Sequence, residues 1–394
     1  METVLLENQL VWPMRHTLAA NLWGGIQHLP STCYPLDIDG RLVHDPAFCN
    51  SEISQPDKTK HLSGRFIFGG TLFDHFGHQM ADHALTAIGA AMLAERYLDA
   101  RILFCPMPQG DLLIDKKALL SKTSLGLINY LGISDDRLVF INTPTLIEQC
   151  LVPHLRSSDG QSLRLAKDTR KYLTTRTQNL PPLPTNKQAT KLYVSRRNFN
   201  HEYAGKIAGE AIIADLFAAN GYTVLDPEDM FFKSQLRHYG EADEIVFAEG
   251  SAFHALEALE RISARIHVIL RRPSFEKRLA SYFSQKLGIS VTFHKAILPG
   301  PLIVGLQGTD KVFNKSLSFL NHDSFRLYGE KELGLNLWES FEEDMRTAEI
   351  ADLRRYLRYE TLPDHFKPVS KIDRRHYLET LQAARPDLPL SEFL

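Results

Sequence analysis

The sequence predicts an α/β protein built from two Rossmann-like halves. Short apolar stretches alternate with helical stretches on both sides of a linker, TQNLPPLPTNKQATK (177–191), which carries three prolines among polar residues. Strands that alternate with helices of ~10–20 residues are typical of parallel βαβ units. The 394 residues suffice for two or three domains. We therefore expect two α/β halves that face each other across a cleft.

The first half begins irregularly and then becomes regular. Residues 1–64 contain several prolines, glycines and turn-forming residues, so we expect short strands and loops there. RFIFGG (65–70) predicts a strand, and the apolar stretch from Phe76 to about Leu98 predicts a helix. Further expected elements are the strands RILFCP (101–106), RLVFIN (137–142) and QCLVPHL (149–155), and a helix over about 112–131 that ends at Gly132.

The second half alternates more cleanly. The expected strands are KLYVS (191–195), YTVLD (222–226), EIVFA (244–248) and ARIHVIL (264–270). The expected helices between them are GKIAGEAIIADLFAAN (205–220), MFFKSQLRHYGEA (230–242) and SAFHALEALER (251–261). The order βαβαβαβ predicts a Rossmann-like half with right-handed crossovers.

The alternation divides the chain into four segments. We expect a first domain over 1–178, a linker over 179–190, a second domain over 191–300 and a C-terminal extension over 301–394. The extension contains a mixed region and then a charged helical stretch from about Trp338 to Tyr359.

The composition excludes several classes of function. Apolar residues make up 44% and charged residues 23% of the chain, and the formal net charge is −2, so no global basic field indicates nucleic acid or an anionic membrane as partner. No stretch reaches ~18 consecutive apolar residues, so we expect no membrane span, while peripheral association with a membrane stays open. The acidic N-terminus METVLLENQLVWPMRH predicts no signal peptide. The cysteines form no C-x-x-C pair, which favours reduced thiols in the cytoplasm over a bridge from Cys33 to Cys49.

Three polar stretches follow predicted strands of the second half, where open α/β sheets bind ligands. In SRRN (195–198), Arg196 and Arg197 can grip phosphate oxygens, or they can simply solvate a loop. In EGSAFH (249–254), Gly250 allows close approach of a ligand, and Ser251 begins either a phosphate-binding helix terminus or a plain N-cap. The pair in RRPS (271–274) is more typical of a solvent-facing helix start.

The predicted first helix carries polar residues among apolar ones in FGHQMADHALTAIG (76–89). His78 and Asp82 are four residues apart and share one helix face, and Asp74 and His75 lie one turn earlier. Three interpretations stay open at this point. The histidines and acids are a hydrogen-bonded core feature, a metal site of His75, His78 and Asp82, or a face that binds an acceptor and takes a proton from it.

Several motifs in order resemble glycosyltransferase family 61, over about residues 65–260. They are F-G-H-x3-[DE] at Phe76–Asp82, Y-V-S-R-R-N at Tyr193–Asn198, the acid Glu210, G-[FY]-x-V-x-x-P-E at Gly221–Glu228, Gln235 with Ala242–Asp243, and the H-G-A turn at Glu249–Ala255. The sequence departs from the family where Glu249 replaces the usual histidine and where the usual asparagine is absent near His254 and Ala255. The family includes transferases of the bacterial capsule type.

The resemblance implies a GT-B architecture and an inverting transfer from a nucleotide-sugar, commonly a UDP-sugar, to a glycan hydroxyl. It implies that Asp82 deprotonates the acceptor and that His78 orients Asp82 or holds the acceptor. Arg196 and Arg197, together with the amides of Gly250, Ser251 and Ala252, would bind the diphosphate without a metal. Gln235 is a further expected donor-site residue, and Glu249 is expected to face the sugar or ribose. The alternative is a catalytically inactive protein of the same fold that binds a nucleotide or glycan, and the sequence indicates neither sugar, linkage nor oligomeric state.

Overall fold

The protein is described here from a computed structural model. The described residues are 2–16, 22–26, 59–107, 114–154, 167–180, 190–198, 205–272, 275–295, 297–298, 317–357, 371–390 and 393. They form a mixed α/β fold with two main sheets that contain parallel strands, which confirms the predicted class.

The first sheet has six strands in the order β2-β1-β6-β3-β4-β5. They are β1 (Glu2–His16), β2 (Leu22–Ile26), β3 (Lys60–Leu72), β4 (Arg101–Pro106), β5 (Leu138–Phe140) and β6 (Thr145–His154). Strand β3 is parallel to both β4 and β6, and β4 is parallel to β5, whereas β1 is antiparallel to β2 and β6. The carboxyl-terminal half of β3, residues 66–72, is buried because helices cover the sheet, as parallel strands require.

The second sheet has five parallel strands in the order β12-β11-β10-β7-β9. They are β7 (Lys191–Val194), β9 (Thr223–Leu225), β10 (Glu244–Ala248), β11 (Arg265–Ile269) and β12 (Val291–His294), and the short strands β8 (Lys206–Ile207) and β13 (Leu317–Ser318) pair separately. The near-continuous apolar sequence of β10 matches its complete burial.

Ten α-helices connect and cover these strands within the described ranges. They are α1 (Phe76–His78), α2 (Ala84–Arg96), α3 (Lys122–Leu131), α4 (Lys167–Gln178), α5 (Glu210–Ala219), α6 (Phe232–Glu241), α7 (Glu276–Tyr282), α8 (His322–Tyr328), α9 (Phe341–Leu357) and α10 (Lys371–Ala384). None of the helices in these ranges is long and apolar enough to cross a bilayer.

One hydrophobic core extends through both sheets. It includes Ile67 and Leu127 from the first half together with Leu192 and Phe247 from the second. Where the halves meet, the Tyr130 hydroxyl donates a hydrogen bond of 2.6 Å to the carbonyl of Ala258. The two halves are therefore joined by packed side chains as well as by the chain itself.

The structure corrects several predicted elements of the first half. Residues expected to form only short strands include β1, which spans 15 residues and gains its length by pairing with β6. The helix expected over 112–131 begins only at Lys122, because Ser121 caps it by accepting a hydrogen bond of 3.2 Å from the Ser124 amide. Helix α4 was not predicted from the polar sequence before the linker.

Two predicted helices of the second half also differ. The helix expected over 205–220 is divided into β8 and α5, and Gly209 adopts a positive φ of 72° between them. The helix expected over 251–261 is the 3-10 helix Ala252–Ala258. The predicted Cys33–Cys49 pair lies outside the described residues, while Cys105 and Cys150 are buried.

The C-terminal extension packs onto the second half. The side chain of Asp352 on α9 accepts hydrogen bonds from Lys206 Nζ (2.7 Å) and from the Gly209 amide (2.9 Å). A β-carbon on Gly209 would lie 2.7 Å from the sulfur of Met345, so glycine is required there for packing as well as for φ. Helix α9 thus supports the segment that connects β8 to α5.

Candidate functional site

The order in which the chain adds strands to the second sheet reverses between β7 and β10. From β7 the chain crosses to β9 on one side, and it then returns to β10 on the other side. Ligands of open α/β sheets bind beyond the carboxyl ends of the strands at such a point. The motif SRRN follows β7 and the turn EGS (249–251) follows β10, so both predicted donor segments lie at this point. We call the region between the carboxyl ends of β7 and β10 the crevice.

Arg196 packs directly on Gly250 in the crevice. A β-carbon on Gly250 would overlap Nη1 of Arg196 and would lie 3.0 Å from its Cδ and 3.1 Å from its Cζ, so one of the two groups would have to move. The guanidinium also donates from Nη2 to the carbonyl of Gly205 at 3.2 Å. Glycine at position 250 is therefore what allows Arg196 to lie along the backbone of the turn.

Acidic side chains surround Arg196 on the protein side. The buried carboxylate of Glu210 accepts a hydrogen bond from the Arg196 amide. Burial lowers the pKa of the Arg196 guanidinium, and the nearby charges of Glu210, Glu249 and Glu228 oppose that shift. An arginine held among acids is positioned in advance, so little ordering is needed when an anion binds.

Glu210 itself makes stability depend on pH. Burial raises its pKa from 4.5 to about 7, against the opposing effect of Arg196. Between these two values the folded state keeps a proton that the unfolded state has lost, so this residue makes stability fall as pH rises. At about 1.4 kcal/mol per pH unit, we expect the unfolding free energy of Glu210→Gln to rise by about 3 kcal/mol relative to that of the wild type as the pH goes from 4.5 to 7.

Urea denaturation of both proteins across that pH range measures the difference directly. Comparing the two proteins cancels the titration of all other groups. A difference in unfolding free energy that does not change with pH would show that Glu210 titrates alike in the folded and unfolded states.

Arg197 points elsewhere. Its Nε lies 3.2 Å from both carboxylate oxygens of Asp226 and its Nη2 lies 2.9 Å from Oδ2, while Nη1 lies 3.6 Å from Asp215. Ser195 also donates to Asp226. The two arginines that were expected to bind phosphate together therefore have different contacts. The side chain of Arg197 joins the end of β7 to that of β9, and only Arg196 lies on the EGS turn.

Glu249 does not project toward a sugar as expected. Its Oε2 accepts hydrogen bonds of 2.9 Å from the amides of both Arg271 and Arg272, and its Oε1 accepts from the Arg272 guanidinium. Glu249 is only 1% exposed. The carboxylate therefore joins the ends of β10 and β11, and the pair in RRPS is held inside the protein instead of facing solvent.

Three other expected donor residues lie in the EGS turn and in α6. The side chain of Ser251 makes no capping hydrogen bond, and Ala252 begins a 3-10 helix rather than an α-helix. Gln235 is buried and donates from Nε2 to the carbonyl of Pro227 at 2.7 Å. Gln235 thus holds the turn that precedes α6, and Gly250 is the residue of the turn that contacts Arg196.

The F-G-H segment (Phe76–Asp82) follows the carboxyl end of β3. His75 caps α1 by accepting a hydrogen bond of 3.4 Å from the His78 amide, and both histidine rings are exposed. The Phe73 amide donates a hydrogen bond of 2.6 Å to Oε1 of the buried Gln79. Asp82 lies in the π-helix Gln79–His83 that continues α1, and its side chain lies outside what the structure describes. A π-helix inserted into an α-helix is often found at a functional site.

The F-G-H segment and the E-G-S turn meet in space. A β-carbon on Gly77 would lie 3.0 Å from Cβ of Ser251 and 3.1 Å from Cε1 of His75. Residues separated by more than 170 positions thus lie in contact at the carboxyl ends of both sheets. Among the described side chains, no cluster of three or more acids, cysteines and histidines could hold a metal ion.

Sequence patterns missed two contributors to this region. Asp226, the partner of Arg197, ends a predicted strand and gave no separate signal. Lys286 donates a hydrogen bond of 2.6 Å to the Ala81 carbonyl within the π-helix Gln79–His83. Only the folded chain brings this lysine, 205 positions away, to the F-G-H segment.

Gly77, Arg196 and Ser251 also lie in the part of the chain that matches a known family. No curated protein matches the chain. Residues 76–260 match the family model described as Glycosyltransferase 61. The matched range begins at the F-G-H segment and includes both SRRN and the EGS turn. The match supports a relationship to glycosyltransferase family 61, and with it a glycosyltransferase activity.

Proposed function

We propose that the protein is an inverting glycosyltransferase that moves a sugar from a nucleotide-sugar, a UDP-sugar, to a hydroxyl of a glycan. The contact between Gly77 and Ser251 carries this proposal, because it joins an acid- and histidine-bearing segment to an arginine-bearing crevice. Transfer to a hydroxyl needs these two parts together: a base for the acceptor and a positive site for the leaving group.

The leaving diphosphate is assigned to the crevice between β7 and β10. Arg196 supplies the positive charge, and the amides of Gly250, Ser251 and Ala252 supply hydrogen bonds along the turn that Arg196 covers. Arg197 and Glu249 support this site by tying neighbouring strand ends together. Gln235 supports the next turn.

The acceptor is assigned to the F-G-H segment. Asp82 removes the proton of the attacking hydroxyl, so that the oxygen can form its bond to the anomeric carbon as the bond to the diphosphate breaks. The exposed ring of His78 holds the acceptor or orients Asp82. A GT-B arrangement of two domains, a cytoplasmic location and a role in cell-surface polysaccharide synthesis, such as capsule, belong to the same proposal.

The alternative of an inactive binding protein loses its main support. A carboxylate at position 249 would repel a diphosphate if it projected into the crevice. In the structure the carboxylate is engaged by two amides and the guanidinium of Arg272, so its charge is matched within the protein.

A donor panel tests the proposed function. UDP-, GDP- and CMP-sugars are added to the protein with and without glycan acceptors, and thermal stability and sugar transfer are both measured. A nucleotide at a hundredfold excess over its Kd stabilises the folded state by about 2.7 kcal/mol. A nucleotide or glycan that raises Tm without transfer to any acceptor would favour the binding protein, and no stabilisation by any nucleotide or glycan would reject both functions.

Transfer is expected to proceed without a divalent metal. Arg196, supported by the backbone amides of the turn, supplies positive charge and hydrogen bonds at the point where metal-dependent transferases place a cation. The measurement is transfer in excess EDTA after bound metal has been removed. Activity that is lost in EDTA and restored by Mg²⁺ or Mn²⁺ would contradict the expectation and would make the nearby acids candidate ligands.

A further inference from the structure

Lys286 connects the second half of the protein to the segment that carries Asp82. It lies in the π-helix Phe283–Leu287, which continues α7. Its ammonium group donates one hydrogen bond of 2.6 Å to the Ala81 carbonyl and lies 2.6 Å from Oε2 of Glu257. Ala81 directly precedes Asp82, so this contact acts on the backbone of that turn.

The partner of Lys286 is part of a buried network. Glu257 is 2% exposed and accepts a hydrogen bond from the Tyr282 hydroxyl. Nδ1 of His254 lies 3.2 Å from Oε1 of Glu257 and 2.8 Å from the Tyr282 hydroxyl. Burial alone would raise the pKa of Glu257, but the charges and hydrogen bonds of Lys286 and His254 lower it. Glu257 and Lys286 therefore form an ion pair.

The network reaches both reacting segments of the proposed site. His254 and Glu257 belong to the 3-10 helix that follows the EGS turn, while the Ala81 carbonyl belongs to the π-helix of the F-G-H segment. The flexible stem of Lys286 is restrained at its end, because the ammonium group contacts a buried carboxylate and a backbone carbonyl together. The distance between the acceptor-side turn and the donor-side turn is thereby held through Lys286.

We infer that Lys286 is a positioning residue for sugar transfer: with Glu257 it fixes the π-helical turn that carries Asp82 against the donor-binding turn. This inference rests on the proposed function. A misplacement of about 1 Å at a reacting group can cost about a hundredfold in rate. The role is distinct from stabilising the fold, because a neutral replacement of the whole ion pair would satisfy the core without restoring the contact to Ala81.

Three variants separate positioning from stability. Lys286→Met leaves Glu257 buried without its cation, and we expect it to lower Tm. Combining Lys286→Met with Glu257→Gln removes both charges, and we expect Tm to recover most of that loss. In the double variant kcat is expected to fall about 10- to 100-fold, with the donor KM changed less than about twofold. The matched control is Glu244→Gln with Arg265→Met, a pair that includes a carboxylate with the same 2% side-chain exposure but lies at the amino end of the second sheet.

Hydrogen exchange gives a readout that does not depend on activity. Amides of residues 76–90 are expected to exchange faster in both the Lys286→Met and the double variant, and at the wild-type rate in the control. A double variant with wild-type kcat and wild-type exchange in 76–90 would overturn the inference. A wild-type protein that transfers no sugar would reject the proposed function, while the exchange rates would still decide whether Lys286 holds the turn.

Discussion

Asp82→Asn is expected to reduce kcat by about 100- to 10,000-fold, the usual cost of losing a positioned base. The amide that replaces the carboxylate has the same shape but cannot take the proton of the acceptor hydroxyl. Asp82 is preferred because the π-helix that carries it follows directly from the F-G-H segment at the donor turn. Donor affinity and Tm are expected to change little, and steady-state transfer kinetics with a nucleotide-binding titration measure both.

Asp74→Asn is the matched control for this variant. Asp74 is an exposed acid just before α1, eight positions earlier, and its pKa is raised because burial outweighs a hydrogen bond with Ser121. Its replacement is expected to leave kcat within about threefold of wild type, far from the loss of a base. An Asp82→Asn protein that keeps more than about a tenth of wild-type kcat would exclude Asp82 as base. A loss confined to Asp74→Asn would transfer the role to that residue.

The strands were predictable because burial and β-pairing act on short apolar stretches. The stretch EIVFA forms β10 with the predicted bounds. Both faces of this strand are buried, and its nearly continuous apolar sequence indicates that burial. The helices were less predictable where local capping set their ends. Ser121 delays the start of α3, and the positive φ of Gly209 separates β8 from α5. Such effects depend on single residues that a pattern of apolar spacing does not report.

The position of the candidate site was predictable, but the direction of its side chains was not. The rule that ligands bind at the carboxyl ends of parallel strands selected SRRN and EGS, which do meet in the structure. It could not distinguish Arg196 from Arg197, because that choice depends on Asp226 at the end of the neighbouring strand. The setting of Glu249 depends likewise on the amides of residues after β11. Contacts of this kind join segments that are distant in sequence, so only the fold reveals them.

Gly250→Ala is expected to weaken binding of the nucleotide-sugar about tenfold or more, as much as Arg196→Ala does. A charge-assisted hydrogen bond contributes roughly 1.5–3 kcal/mol, and loss of Arg196 removes at least one of them from the diphosphate. The new methyl group would overlap Nη1 of Arg196 and would stand 3.0 Å from Cδ and 3.1 Å from Cζ, so the guanidinium must leave its place over the turn. Because both changes act through the same guanidinium, the double variant should bind the donor hardly more weakly than either single variant.

Two control variants show whether the effect belongs to Arg196. Gly240→Ala adds the same methyl group within α6, where its nearest neighbour would be 3.8 Å away, and donor Kd should stay at the wild-type value. Arg197→Ala removes a guanidinium that is bound to Asp226. This variant should lower Tm, whereas its donor Kd should stay near the wild-type value. Isothermal titration with the nucleoside diphosphate measures the five variants and the wild type. Additive losses of donor affinity from Gly250→Ala and Arg196→Ala would mean that the turn and the arginine contact the donor independently. A tenfold loss of affinity in Arg197→Ala would move the phosphate site toward β9, because Arg197 can reach the ligand only by leaving Asp226.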